Sequence, residues 1–310
     1  MSKEGIKKIF QGRNLRILRF IVQLSSFLLL NFGFYVYIQY LFTGLILPIN
    51  SGFGSPFTAV QGVWNVIERA LSLVIIPFFA IGILLLIPLL FGRFTCGWIC
   101  PFGFIQDVTS KISKQKTKLK RETDDYISFW VPAIVIVISM GGALMVGFFP
   151  LFMSTFIGAD YSFDLGPFAL GIWNQIDPYN FLFSILPGMI RNSLVVAGIG
   201  VWDFLAQNPI LIIQIIFAAI VLVAQYWLSR FYCRFLCPTG TCMGYISTHG
   251  FLGLKRDPIH CDKCRKCEDA CPTNVPILKL DFKRIRHKSC ILCGECVAVC
   301  KNESLKFAFS

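Results

Sequence analysis

The sequence predicts an all-α membrane protein, four transmembrane helices arranged as two homologous hairpins, with a small α+β domain at the C-terminus. Three observations predict it. Apolar residues make up 55% of the 310 positions and charged ones only 15%, whereas soluble domains sit nearer a quarter charged. The stretch RFTCGWICPFG at 93–103 returns as RFYCRFLCPTG at 230–240, so R-F-x-C-x-x-x-C-P-x-G occurs twice, each time directly after a long apolar run. Of the 13 cysteines, eight crowd into residues 261–300 at regular spacing.

Four apolar runs reach the roughly 20 residues that cross a bilayer, at about 20–42, 71–91, 130–150 and 210–229. Their orientation follows from charge. Six basic residues precede the first run, seven lie between the second and third, and fourteen follow the fourth, together 27 of the 29 Lys and Arg. Basic segments stay cytoplasmic, so both chain ends and the 92–129 loop face the cytoplasm of a multi-pass inner-membrane protein. Residues 181–202, with Arg191 and Asn192 at the centre and Pro187–Gly188 before them, read as a broken or interfacial helix in an external loop. Residues 56–70 read as a second external helix near the membrane surface. The first run is too long for a signal peptide and lacks a cleavage site. The net charge of +12 is thereby accounted for by topology and lipid, with no motif for nucleic acid beside it. The expected domains are a basic N-terminus (1–19), a membrane domain (20–254) and a small C-terminal domain (255–310).

The tail carries the most specific signal. Residues 261–271 read C-x2-C-x2-C-x3-C followed by Pro272, and 290–300 repeat the spacing followed by Lys301. Three thiolates two residues apart wrap one corner of an iron–sulfur cubane while the fourth reaches the other cluster. The pattern therefore assigns Cys261, Cys264, Cys267 and Cys300 to one [4Fe-4S] cluster, and Cys290, Cys293, Cys296 and Cys271 to a second. This is the arrangement of a bacterial-type 2[4Fe-4S] ferredoxin domain. Zinc sites come as separated pairs, and a cytoplasmic tail disfavours disulfides. So small a segment has little core of its own, and the bonds to iron hold it together.

Each C-x3-C-P pair sits at the cytoplasmic end of a run. Pro101 disfavours helix at Cys100 yet suits the first position of a new one, and Pro238 does the same after Cys237. Phe102, Ile105, Val108 and Ile112 recur at helical spacing, an amphipathic helix on the membrane face. Both cysteines then cap helix N-termini, which favours thiolate, and Arg93 and Arg230 push the same way. Cys96, Cys100, Cys233 and Cys237 could enclose a third iron–sulfur centre. Redox-active dithiols, a partner-docking surface and plain packing of helix ends are the alternatives. Cys242 reads as a buried bystander, and His249, His260 and His287 as surface residues.

Long apolar hairpins ending in CGWICP and CRFLCP, followed by the two ferredoxin runs, resemble the NapH-type membrane ferredoxins. These are quinol dehydrogenase membrane subunits associated with periplasmic nitrate reductase. NosR-type regulators and CcoG-type assembly proteins share parts of the pattern. The resemblance implies an electron-transfer subunit working between quinone or quinol and a partner redox protein bearing haem or iron–sulfur. The alternatives are a CcoG-like metal-reducing assembly protein and a redox-sensing regulator. No catalytic residue is assigned. The expected spans carry no charged residue at their centres, which speaks against an ion pump, and no nucleotide motif occurs. With nothing inside a span to relay an electron, a quinone belongs in the cytoplasmic half of the membrane, with Phe94, Trp98, Phe231, Tyr232 and the two arginines as expected walls. Glu68 and Arg69 mark a competing external site.

Overall fold

The computed structural model describes residues 12–32, 46–49, 61–113, 119–157, 172–186 and 210–309. Helix α1 (Gly12–Phe32) starts eight residues ahead of the apolar run. Its basic first turns carry Leu15, Arg16 and Arg19 onto the C-terminal domain. Residues 33–42, the rest of the expected span, lie outside the described residues. A parallel pair, β1 (Ile46–Leu47) with β2 (Gln61–Gly62), leads into α2 (Val63–Ser72).

Residues 56–60 of the expected external helix lie outside the described residues; the rest is β2 followed by α2, which buries Val63, Trp64, Ile67 and Glu68 and packs on α6 (Arg121–Ile157). One expectation needs correcting here. The run at 71–91 is not one helix, because α2 ends at Ser72 and α3 occupies only Phe78–Phe91. Pro77 explains the break. It disfavours helix at the residue before it and offers no N–H to continue a ladder, and Val74 turns into the left-handed region at φ 57°.

Among the described residues, two helices are long and apolar enough to cross a membrane: α6 over Arg121–Phe148, and α9 (Ile210–Trp227). Their polarity is reversed relative to a soluble protein. Helix α9 buries Gln214 and Gln225 while Ile213, Ile216, Ile220 and Val223 are exposed, and α6 exposes Val137 and Met145. An apolar outer face around a polar seam suits a lipid surrounding. Between α6 and α9 the described residues form two short helices, α7 (Ile172–Ile176) and α8 (Pro178–Asn180), and a π-helical turn over Phe181–Ile185 packed beside Leu211 and Ala218. Residues 187–202 of the expected broken helix lie outside the described residues.

Each duplicated motif forms a one-turn helix, a break at the second cysteine, and a second helix. These are α4 (Phe94–Trp98) and α5 (Pro101–Ile112) in the first copy. In the second they are α10 (Phe231–Phe235) and α11 (Pro238–Ser247). Cys100 and Cys237 occupy the N-cap positions with proline following, as the sequence predicts. Helix α5 is amphipathic, but it buries Gln106, Asp107 and Ser110 and leaves Ile112 exposed.

The C-terminal domain closes with β3 (Leu252–Arg256) antiparallel to β4 (Leu305–Phe309), Leu252 opposite Phe309 and Arg256 opposite Leu305. Two one-turn helices, α12 (Lys266–Asp269) and α13 (Glu295–Ala298), follow the ligand-spaced runs. Its core of Leu254, Val275, Ile277, Ile285, Leu292 and Leu305 is completed by Leu15 and Trp98 from the membrane part.

A buried ion cluster joins these pieces. Arg230, with no exposed side-chain surface, donates from Nε to Asp107 Oδ1 at 2.7 Å and from Nη2 to Oδ2 at 2.6 Å. Arg19 also pairs with Asp107 and reaches Glu295 Oε1 at 3.1 Å. Removing one member of a buried pair strands the other charge, a cost of about 3–5 kcal/mol. The Asp107→Ala variant should lose stability of that order in detergent thermal unfolding. Glu295→Ala, at a more exposed pair, should lose under about 1 kcal/mol.

Candidate functional site

The shape shared by the two motif copies has a mechanical explanation. Arg93 of the first copy donates to the carbonyl of Cys233 in the second at 3.1 Å, and Arg230 of the second donates to the carbonyl of Cys96 in the first at 2.8 Å. Each arginine thus clamps the opposite copy. The motif glycines make room: a Cβ on Gly103 would stand 2.6 Å from Arg230 Nη1 and 2.9 Å from the Cys96 carbonyl, and one on Gly240 3.0 Å from Arg93 Nη2. The arginines are therefore clamps and not pocket walls.

The clamp gathers the four motif cysteines. Cys96, Cys100, Cys233 and Cys237 are all 5–6% exposed. Cys237 is within electrostatic reach of the other three. Gln106 Nε2 donates to Cys233 Sγ at 3.0 Å, and Cys237 Sγ accepts from the Gly240 N–H at 3.3 Å. Met243, the counterpart of Gln106 in the second copy, faces Cys96 at 4.0 Å. Cys242 is half-buried beside this core.

The expected aromatic walls are placed otherwise. Phe94 and Trp98 stack at 5.0 Å and turn toward the C-terminal domain, where Trp98 Nε1 donates to the Leu292 carbonyl at 3.0 Å. Tyr232 is fully buried and donates to Asp177, while Phe231 packs on Phe235.

In the C-terminal domain the two ligand-spaced runs cross over. One cavity of about 100 Å³ is lined by Cys261, Cys264, Cys267 and Cys300; a smaller one is lined by Cys271, Cys290, Cys293 and Cys296. Among the described residues, no three His, Cys, Asp or Glu groups converge closely enough to hold a single ion. Zinc needs sulfurs about 2.3 Å from one point; sulfurs ringing a cavity suit a polynuclear centre instead. Burial pushes the Cys290 thiol up to about 12 and those of Cys293 and Cys267 up to about 11, so thiolate there calls for compensating positive charge. Of the histidines, His260 pairs with Asp257, His249 is exposed beside Thr248, and the His287 ring accepts from the Ser289 N–H.

The second cavity abuts the membrane-face cysteines. A Cβ on Gly97, inside CGWIC, would stand 2.3 Å from the Ile291 carbonyl and 3.5 Å from Cys293 Cα. Backbone thus meets backbone between the two cysteine-bearing loops, and Arg93 seals the seam through the Lys288 carbonyl at 2.7 Å.

The structure also shows a feature that sequence reasoning missed. Trp64-Asn-Val-Ile-Glu68 and Trp173-Asn-Gln-Ile-Asp177 are two copies of W-N-x-I-acid, and both acids have no exposed surface. Glu68 accepts from Ser139 Oγ, in the third expected span, at 3.2 Å and from the Trp173 N–H at 2.7 Å. Asp177 accepts from Tyr232 and, at 3.4 Å, from the Asn180 N–H. The carboxylate of Glu68 is thus buried against α6. A search for internal repeats would have found the pair.

Fold and site define an iron–sulfur protein with a ferredoxin-type domain on membrane helices. Residues 72–120 and 209–256 each match the family described as a 4Fe-4S binding domain, and 253–301 match a 4Fe-4S dicluster domain. An uncharacterized protein of Methanocaldococcus jannaschii is 24% identical over 74% of this chain and 77% of its own. The putative electron transport protein YccM of Escherichia coli is 25% identical over 82% of this chain and 60% of its own. The ferredoxin-type protein NapH of Haemophilus influenzae is 24% identical over 73% and 66%. Further relatives are named NirI and NosR, and these similarities together with the 4Fe-4S matches support a NapH-type membrane ferredoxin family. No solved structure matches it.

The clamp predicts unequal glycines. Gly103→Ala, which meets a backbone oxygen and a buried guanidinium, should cost about 1–3 kcal/mol, and Gly240→Ala less, in paired thermal unfolding measurements.

Proposed function

We propose that this chain is a membrane-bound iron–sulfur electron-transfer protein working between the quinone pool and a partner redox protein. One observation carries the reading: the three cysteine quartets stand in series, the inner two joined by backbone contact at Gly97. When bound, iron–sulfur clusters would supply one-electron transfer at each. Cys261, Cys264, Cys267 and Cys300 would hold the outermost, Cys271, Cys290, Cys293 and Cys296 the middle one, and Cys96, Cys100, Cys233 and Cys237 the one at the membrane face. The match of each C-x3-C-P half to a 4Fe-4S binding domain supports the third. Burial of that quartet also favours a resident centre over metal handling, which needs thiols in reach of a solvated ion.

The topology that suits this chemistry has four crossings, with both chain ends and the ferredoxin domain on the basic, cytoplasmic side. Helices α6 and α9 would supply two of them. Helix α1 with the residues after it, and α3, would supply the others.

Quinol gives up two protons with its two electrons, and the chain must receive them where water is scarce. Buried acids in a membrane domain are costly and mark function by default. In this reading Glu68 and Asp177 would take up those protons. Asp177 accepts from Tyr232, the residue beside Cys233, and the Trp173–Asp177 turn links Asp177 to Glu68.

Iron and sulfide analysis tests the centres. About twelve irons per chain are expected, falling to about eight in a Cys100→Ser/Cys237→Ser variant that keeps its ferredoxin signal. Eight irons in the unaltered protein would remove the membrane-face centre. The reduced protein should be reoxidised by a short-chain quinone, and Glu68→Gln should slow that step with iron content unchanged. Reoxidation insensitive to Glu68 would remove its proton role. Chelating the iron should leave residues 252–309 open to protease, since the raised thiols would protonate and the small core cannot stand alone.

A further inference from the structure

The ferredoxin domain is itself a repeat, and its two halves meet different surroundings. Cys261–Cys271 superimposes in sequence on Cys290–Cys300 with an offset of 29. The backbone agrees: Lys263 and Arg265 take left-handed φ of 51° and 61°, and their counterparts Leu292 and Gly294 take 49° and 76°. The second half is docked. Ile291 and Leu292 are buried at the Gly97–Trp98 seam, and a Cβ on Gly294 would stand 2.9 Å from Leu15 Cδ2. Glu295 receives Arg16 at 2.8 Å and Arg19 at 3.1 Å.

The same positions in the first half are Asp262, Lys263, Arg265 and Lys266, all exposed. Apolar residues give way to charged ones, the glycine required by close packing becomes arginine, and the bridged glutamate becomes lysine. Lys301 adds a further exposed cation beside Cys300, on the same cavity as Arg265 and Lys266. Of the nearby acids, Asp262 is exposed and accepts from Asn302 at 2.6 Å, Glu268 accepts from the Leu278 N–H at 3.0 Å, and Asp269 is exposed, which leaves the cations Lys263, Arg265, Lys266 and Lys301 in excess on this face. Cys264 is the one exposed cysteine.

We propose that this exposed half is a docking face for an acidic one-electron redox protein, which meets the Cys261–Cys264–Cys267–Cys300 centre as the membrane domain meets the other. The inference rests on the electron-transfer reading and adds the partner's chemistry. On the docked side, glutamate of the ferredoxin domain meets arginines of the membrane domain; on the free side the signs are exchanged, so the partner presents carboxylates. A charged, water-exposed face favours fast, reversible encounter over permanent assembly. With a cluster held by Cys261, Cys264, Cys267 and Cys300, one electron would pass between it and the partner's centre, with no bond made or broken.

The test uses full-length protein in detergent and an acidic soluble ferredoxin as probe. Binding should weaken about tenfold or more from roughly 50 to roughly 500 mM salt, as screening of surface charge requires. A Lys263→Glu/Arg265→Glu/Lys266→Glu variant should weaken it by at least about tenfold, and a Lys283→Glu/Arg284→Glu control less than about twofold. Unchanged binding in the triple variant, equal loss in the control, or salt-independent binding would each overturn the proposal. So would a triple variant that keeps ferredoxin binding but loses adsorption to phosphatidylglycerol vesicles. Iron content and dithionite reduction, measured on the same samples, separate the two claims. Centres that are present and reducible with binding unaffected sink only the docking face, whereas absence of a reducible centre sinks the electron-transfer reading as well.

Discussion

Everything in the membrane-face site depends on two arginines exchanged between homologous halves. A guanidinium in a low-dielectric interior is costly unless its donors are met. Arg230 meets that demand with both oxygens of Asp107 and the Cys96 carbonyl; Arg93 meets it at Nη1 and Nη2 with the carbonyls of Lys288 and Cys233, while its buried Nε has no partner. Because each arginine belongs to one half and its carbonyl partner to the other, neither half can settle alone. The four cysteines are brought together as a consequence.

The two halves are not equal, and their differences place the ferredoxin domain. Gly97 in the first copy corresponds to Arg234 in the second, and Asp107 to Gly244. A bare glycine lets the Ile291 carbonyl approach one motif. Arg234, paired with Asp124, fills the equivalent space at the other. Gly244 leaves the room in which the Lys288 carbonyl reaches Arg93, since a Cβ there would stand 2.6 Å from that oxygen. Duplication thus supplies a symmetric frame, and a few substitutions make a single docking side. The ferredoxin domain repeats the same logic with Gly294 on its packed half and Arg265 on its exposed one.

Spacing was legible because it is a local property. C-x2-C-x2-C-x3-C fixes which sulfurs can share a cavity within one turn of chain, and the crossed grouping of Cys271 with Cys290, Cys293 and Cys296 was readable from it. The helix starts at Cys100 and Cys237 were readable from proline. Hydropathy was less faithful. It ran through Pro77 and merged two helices, and it gave no sign that Gln106 and Asp107 would form the buried face of α5. Hydropathy also gave no sign that Glu68 would be buried with its partners Ser139 and Trp173 inside the protein.

The sequence alone determined that this protein has apolar helices carrying two cysteine pairs, that a ferredoxin-type domain follows them, and which eight tail cysteines form two sets. Those features rest on short-range spacing and on composition, which survive without knowledge of the fold. Only the tertiary structure decided that Arg93 and Arg230 cross over, that Glu68 and Asp177 are buried, and which half of the ferredoxin domain meets the membrane part. These depend on contacts between residues more than a hundred positions apart, whose geometry no local pattern encodes.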